Sequence, residues 1–182
     1  MPDLARVLMV CTGNICRSPA MHYLAARDWA SAAEVSSAGT HAETRMDATP
    51  EIRRSAAVHG LAIPRHRPTQ LTAELVARAD LVLVATESHA RWIAREMGGL
   101  PLHVFGLKQA AELARRADAP AGASGAERLR KAATALRAVQ DREPAPLRSL
   151  DDPWARDQAT HDRVMGEIAD AVSALTEWAD VR

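Results

Sequence analysis

Cysteine is scarce in this 182-residue chain, where Cys11 and Cys16 are the only two. A disulfide framework is not expected at that count and length. None of the seven histidines forms a short-spaced ligand pair, so no metal is called for, and nothing in the sequence asks for another cofactor. With 23 basic against 23 acidic residues the formal net charge is zero, which gives no electrostatic case for a nucleic acid or an acidic membrane surface. Long apolar runs are absent, and Met1 to Arg6 leads directly into the first strand without a charged-then-apolar leader. No internal repeat or low-complexity tail is present. These absences suggest a cytoplasmic chain that forms one domain over residues 1–182, and a 47% hydrophobic content is enough for one sizeable core.

What is present concentrates near the N-terminus. Leu4 to Val10 is aliphatic and β-branched, the composition of a strand buried on both faces. Ser18 followed by Pro19 reads as an N-cap and a first-turn proline, so a helix opens behind the loop that starts at Cys11. Gly13 has no side chain and tolerates positive φ, which lets the N–H groups from Thr12 to Arg17 curl around one anion beside the helix dipole. Those N–H groups, the dipole and the Arg17 guanidinium all favour thiolate over thiol at Cys11. The planar fork of Arg17 can hold two phosphoryl oxygens and follow them towards a trigonal bipyramid, which a lysine cannot do. A cysteine and an arginine six apart arise easily by chance where the 23 basic residues are all arginine except Lys108 and Lys131. The joint occurrence of strand, glycine, Ser18 and helix start carries the weight.

Strand and helix signals then alternate. A helix is expected from Ser18 towards Ala33, a strand near Val35 to Ser37, helices around Thr49 to His59 and from Thr72, and a strand at Asp80 to Ala85. A helix around Glu87 to Met97 and a strand near Leu102 to Phe105 follow. Alternating βα units imply an α/β fold with a parallel sheet covered on both faces. Leu129, Ala132, Ala133, Leu136 and Val139 share one face of a later amphipathic helix, approached through a flexible connector at Ala119 to Gly125. Val164, Ile168, Val172, Leu175 and Trp178 recur at helical spacing in the closing helix, which makes Trp178 an expected core residue.

The residues Cys11-Thr12-Gly13-Asn14-Ile15-Cys16-Arg17-Ser18 resemble the phosphate-binding loop of the low-molecular-weight protein tyrosine phosphatases, and Asp152-Pro153-Trp154 resembles that family's Asp-Pro-aromatic signature. Weaker echoes lie in Ser37-Ala38-Gly39-Thr40, His66 to Thr72 and Asp80 to Val84, whereas Ala85-Thr86 departs from the frequent methionine-containing version. The resemblance implies a single domain with four parallel strands in the order 2-1-3-4. The segment at about 108–149 is longer than short versions of the fold need. It is expected to be a helical extension packed on the sheet, with a lid or a dimer contact as alternatives.

The resemblance also implies the chemistry, a phosphomonoester hydrolase without cofactor. Cys11 attacks phosphorus and a thiophosphoryl-enzyme forms. It is held by the backbone of Thr12, Gly13, Asn14, Ile15, Cys16, Arg17 and Ser18 and by the Arg17 side chain, while Asp152 first protonates the leaving oxygen and then activates water. Asp151 beside it is expected to be a solvated carboxylate that repels Asp152. Asn14, Ser18, Ser37 and His66 match positions whose side chains bond together to hold the loop. Cys16 matches a cysteine that traps an oxidised nucleophile as a disulfide, and a small buried residue is the plainer reading. Trp154 would wall the substrate pocket. Glu43, three positions after Thr40, replaces a usual aromatic, and Ala155 replaces a second aromatic or glycine, so a two-sided aromatic slot is incomplete. Ile15 stands where the phosphoarginine branch carries threonine, and the further cysteines of the related arsenate reductases are missing. The expected partner is a phosphotyrosine protein, with a small phosphate ester such as a sugar or nucleoside phosphate as the alternative. A non-catalytic phosphate-binding or redox-sensing module is the third possibility. The oligomeric state is left open.

Overall fold

The computed structural model describes residues 4–181; the expected direct lead from Met1 into the first strand falls at Met1 to Asp3 outside the described residues. Four parallel strands, β1 (Ala5–Cys11), β2 (Ala33–Gly39), β3 (Leu81–Val84) and β4 (Val104–Gly106), form one sheet in the order β2-β1-β3-β4. The central strand β1 is buried except at Arg6, and its side chains alternate between two apolar clusters. Val7, Met9 and Cys11 pack with α1 (Arg17–Asp28), α2 (Pro50–Val58), α5 (Leu107–Ala114), α6 (Gly125–Arg142) and α7 (Gln158–Ala179). Leu8 and Val10 pack with α3 (Ala73–Arg78) and α4 (Glu87–Met97). Every loop that follows a strand therefore emerges at the same edge, where Cys11 ends β1. Among the described residues no helix is long and apolar enough to cross a membrane.

Three local expectations are corrected. The first helix stops at Asp28 rather than near Ala33, and β2 begins at Ala33 rather than Val35. The cause is Trp29, which is fully buried and donates its indole N–H to Thr176 Oγ1 at 2.7 Å. That anchor ends α1 against α7, and the N–H groups of Ala32 and Ala33 both turn back to the Trp29 carbonyl at 2.8 Å. Tertiary burial overrides the helix propensity of the alanines. Trp178, expected in the core, is only half-buried at the margin of α7 and bonds the Asp118 carbonyl at 2.9 Å. Ser18 is not the N-cap of α1: Cys16 holds that position and no side chain caps the first turn.

The segment 108–149 contains most of α5 and all of α6. The expected apolar stripe from Leu129 to Val139 is buried on α6, and Gly125 lies against Ala32 and Val181. That contact is at the start of β2, the opposite end of the sheet from Cys11, and farther along α6 Arg137 bonds the Leu102 carbonyl ahead of β4 at 3.0 Å; no α6 residue lines the Cys11 cleft. From α6 the chain returns along the sheet edge. Gln109 donates to the Ala145 carbonyl at 2.9 Å, and Leu147 fills the space beside Gly106. Leu150 N–H then bonds the carbonyl of Ala85, just after β3, at 2.8 Å. This return path delivers Asp152 to the mouth of the Cys11 loop.

Candidate active site

The loop between β1 and α1 has its carbonyls drawn outward. Those of Cys11, Thr12, Gly13 and Ile15 accept from the N–H groups of Thr40, His41, Glu43 and Thr49 at 2.9 to 3.0 Å. The Asn14 carbonyl accepts from His66 Nε2 at 2.9 Å. Because each peptide unit is planar, a run of outward carbonyls leaves the N–H groups facing the other way, around the Cys11 sulfur. Asn14 N–H already points at Sγ, 3.3 Å away. The uncapped first turn of α1 adds its own N–H groups from below.

The residue that bends this loop is not the one the sequence suggested. Asn14, with φ 56°, occupies the left-handed region, and Gly13 does not. Asparagine is among the few side chains that adopt this region with little cost, and here all its polar atoms are used. Its Nδ2 donates to Ser18 Oγ at 2.7 Å and Ser37 Oγ at 3.0 Å, while Oδ1 accepts from Thr69 N–H at 2.9 Å. The glycine that matters sterically is Gly39 on β2. A Cβ there would stand 2.3 Å from the Thr12 carbonyl oxygen and 3.0 Å from Asn14 N. Gly39→Ala is expected to displace the loop and lower aryl phosphate hydrolysis by about 100-fold. Steady-state kinetics check this, and unchanged kcat/KM would show that the loop tolerates the displacement.

Around Asn14 the proton positions follow from the bonding. A carbonyl only accepts, so His66 Nε2 carries the hydrogen and Nδ1 accepts from the Tyr23 hydroxyl at 3.1 Å. Burial lowers the proton affinity of His66 and keeps its ring neutral. Ser37 also meets His22 Nδ1 at 3.1 Å; burial, with His66 adding to it, pushes His22 down to about 4. Since Ser18 Oγ accepts from Asn14, its own hydrogen is free for Cys11 Sγ at 2.9 Å. Asn14, Ser18, Ser37 and His66 thus form one bonded cluster ending on the sulfur. His22 and Tyr23, which extend it, were not singled out from sequence; their adjacency on a helix gave no signal.

Arg17 is 3% exposed and lies across the other side of the loop. Its Nη1 donates to the Leu150 carbonyl at 3.3 Å, and its Nη2 pairs with Asp152 Oδ2 at 2.8 Å and approaches Thr12 Oγ1 at 3.5 Å. Its Nε is buried and has no hydrogen-bond partner among the described residues. Asp151, expected to repel Asp152, is instead turned to Arg163 at 2.7 Å, so the neighbouring carboxylates serve different cations. Cys16 is buried with Sγ 3.3 Å from Thr49 Oγ1, and burial pushes its thiol up to about 12. It therefore stays protonated wherever the protein is folded at ordinary pH.

A cleft joins these groups, lined by Cys11, Gly13, Ile15, Arg17, Asp152, Trp154 and Glu43 among others. Trp154 is 50% exposed and stands as one wall. Glu43 stands by Gly13, where its Cγ would lie 3.3 Å from an added Cβ. His89, buried on α4 and bonded to Thr12 Oγ1 at 2.9 Å, is a further neighbour of the loop that sequence reading missed. Among the described residues no group of three or more histidines, cysteines or carboxylates is placed to hold a metal ion.

An open parallel sheet whose central strand ends in a cysteine, ringed by N–H groups and one buried arginine, defines an anion-binding α/β protein with a sulfur at the focus of the site. The family model described as low molecular weight phosphotyrosine protein phosphatase matches residues 6–120, and the chain belongs to that family. The probable low molecular weight protein-tyrosine-phosphatase EpsP of Ralstonia nicotianae is 46% identical over 78 residues, 43% of this chain and 53% of that protein. The matched segment thus spans about half of that relative's length. The protein-arginine-phosphatase of Bacillus subtilis is 37% identical over 107 residues, 57% of this chain and 70% of that protein. The crystal structure of the Erwinia amylovora tyrosine phosphatase AmsI shares the fold, with a TM-score of 0.70 at 21% identity over 96% of this chain and 92% of that one.

Proposed function

We propose that this protein is a cysteine-dependent, metal-independent phosphomonoesterase that acts on phosphotyrosine in proteins. The observation that carries the reading is Arg17 Nε, a buried donor without a partner among the described residues, beside a ring of inward N–H groups centred on Cys11 Sγ. An unpaired buried donor is costly, and a phosphoryl oxygen is the acceptor this arrangement fits.

In the proposed reaction the Cys11 thiolate attacks phosphorus in line, so that an S–P bond forms as the bond to the leaving oxygen breaks. Asp152 gives its proton to that oxygen. The thiophosphoryl group rests on the loop amides and Arg17, and Ser18 stabilises the sulfur as it leaves again. Water then yields a proton to Asp152 and its oxygen binds phosphorus, releasing phosphate and the thiolate. Arg17 pairs with Asp152 at 2.8 Å, so a phosphoryl group drawing on the guanidinium frees the carboxyl for proton transfer. Cys16 stays a thiol throughout and would condense with a peroxide-oxidised Cys11 to form a disulfide and water. A reducing cytoplasm suits such a pair of free cysteines.

Glu43 favours a second reading, a small phosphorylated metabolite, because a carboxylate-bearing residue lines the same cleft as Trp154 in place of a second ring that would clasp phosphotyrosine. A panel of phosphotyrosine peptides, phosphoarginine peptides, and sugar and nucleoside phosphates separates these. Turnover is expected to be fastest on phosphotyrosine, and Glu43→Tyr should raise kcat/KM for it about tenfold through one added aromatic contact. Strong turnover of only the metabolites would overturn the protein substrate, and turnover of only phosphoarginine would move the protein to the other branch. No turnover at all would leave an anion-binding or redox-sensing module.

A further inference from the structure

Thr12 and His89 form a hydrogen-bonded arm that shares no partner with the Asn14 cluster, and no step above draws on it. His89 is 3% exposed at the start of α4. Its Nδ1 faces the backbone N–H of Thr86 at 3.1 Å and the Thr86 hydroxyl at 2.9 Å. A backbone N–H can only donate, so Nδ1 carries the lone pair and Nε2 carries the hydrogen. That hydrogen is directed at Thr12 Oγ1, 2.9 Å away. Burial, reinforced by the Arg17 charge, pushes His89 down to about 4, so the same tautomer persists at neutral pH.

Thr12 Oγ1 is approached from a second side by Arg17 Nη2 at 3.5 Å. A hydroxyl has two acceptor positions and one hydrogen. With donors at both acceptor positions, Thr12 has only its hydrogen left to offer, and it lines the cleft beside Cys11 and Asp152. The Arg17 nitrogen that meets Thr12 also pairs with Asp152 at 2.8 Å. One chain of contacts therefore runs from the Thr86 backbone through His89 and Thr12 to the Arg17–Asp152 pair.

We infer that His89 is a positioning residue that acts through Thr12, holding the Asp152 side of the Arg17 guanidinium in place and making the Thr12 hydroxyl an obligate donor towards a bound phosphoryl group. The inference rests on the phosphatase reading for its kinetic consequence, but its geometric content concerns binding of phosphate alone. A pure helix cap would be served by serine, aspartate or asparagine at position 86 or 89. The second ring nitrogen, reaching across to another element, is what a cap does not need.

Inorganic phosphate binding by calorimetry and aryl phosphate kinetics, each on wild type, His89→Ala, Thr12→Val and the double variant, test this. Thr12→Val is close to isosteric at an exposed position, so the Thr12 arm stays readable even if His89→Ala is poorly folded, and unchanged phosphate affinity in Thr12→Val overturns the inference by itself. Each single variant is expected to weaken phosphate binding and kcat about tenfold, with the double variant no worse than Thr12→Val alone. Thr12→Ser should restore both. Additive losses, or a lower Tm for His89→Ala with unchanged phosphate affinity, would reduce His89 to a helix cap and overturn the inference. Were wild type to hydrolyse no aryl phosphate, the phosphatase reading would fail while the phosphate-binding cycle still decided the role of His89.

Discussion

Cys11→Ser is expected to hydrolyse aryl phosphates slower than wild type by on the order of 10⁴-fold or more. The serine hydroxyl fits the same space at the end of β1 and can accept the hydrogens of Ser18 and the Asn14 amide, so the fold and phosphate binding should survive. What disappears is an ionisable nucleophile. A serine hydroxyl needs a base to remove its proton, and among the described residues the hydrogen-bond partners of this position are Ser18 and Asn14 rather than a histidine: His66 bonds Asn14, and His89 bonds Thr12. Steady-state assays at neutral pH, with phosphate affinity measured in parallel, check the outcome. Activity within tenfold of wild type would end the thiolate mechanism. Asp152→Ala complements the test: its loss should be large for alkyl phosphates and small for esters whose leaving oxygen needs no proton, since a general acid helps only a poor leaving group.

The parts of the fold that sequence made legible are those with strong local rules. The βα alternation, the apolar stripe from Leu129 to Val139 and the strand–loop–helix around Cys11 each rest on periodicity or turn chemistry. The strand order came from family resemblance, because nothing in the residues of β1 says whether β2 or β3 lies beside it. Trp178 is not the enclosed indole for a tertiary reason: Trp29, just past the end of α1, and Trp178, near the end of α7, both have apolar neighbours, and only the docking of α1 on α7 decides which of them is buried. At the site, Cys11, Arg17 and Asp152 were visible because motif residues carry them. Asn14 rather than Gly13 in the left-handed region was hidden, since its cost is met by partners 23 and 55 residues away, Ser37 and Thr69. His89 was hidden for the same reason: at 77 residues from Thr12 it belongs to no local pattern.

Arg17→Lys should lower kcat by about 10²–10³-fold although the charge is unchanged. Three nitrogens of Arg17 are in three different situations: Nη1 is anchored to Leu150, Nη2 is shared by Asp152 and Thr12, and Nε is buried without a hydrogen-bond partner among the described residues. Nη1 and Nη2 fix the plane of the guanidinium, and Nε is then aimed rather than merely present. A lysine ammonium offers one nitrogen in place of three and cannot keep the Leu150 and Asp152 contacts while reaching a phosphoryl oxygen. The Arg17–Asp152 pair adds little to stability on its own, because the Asp152 side chain is 52% exposed. Its loss should therefore appear in catalysis more than in unfolding. The expected signature is a large fall in kcat with weakened phosphate binding and a small change in Tm. Wild-type kcat in Arg17→Lys would show that net positive charge suffices and that the planar fork is not what the transition state uses.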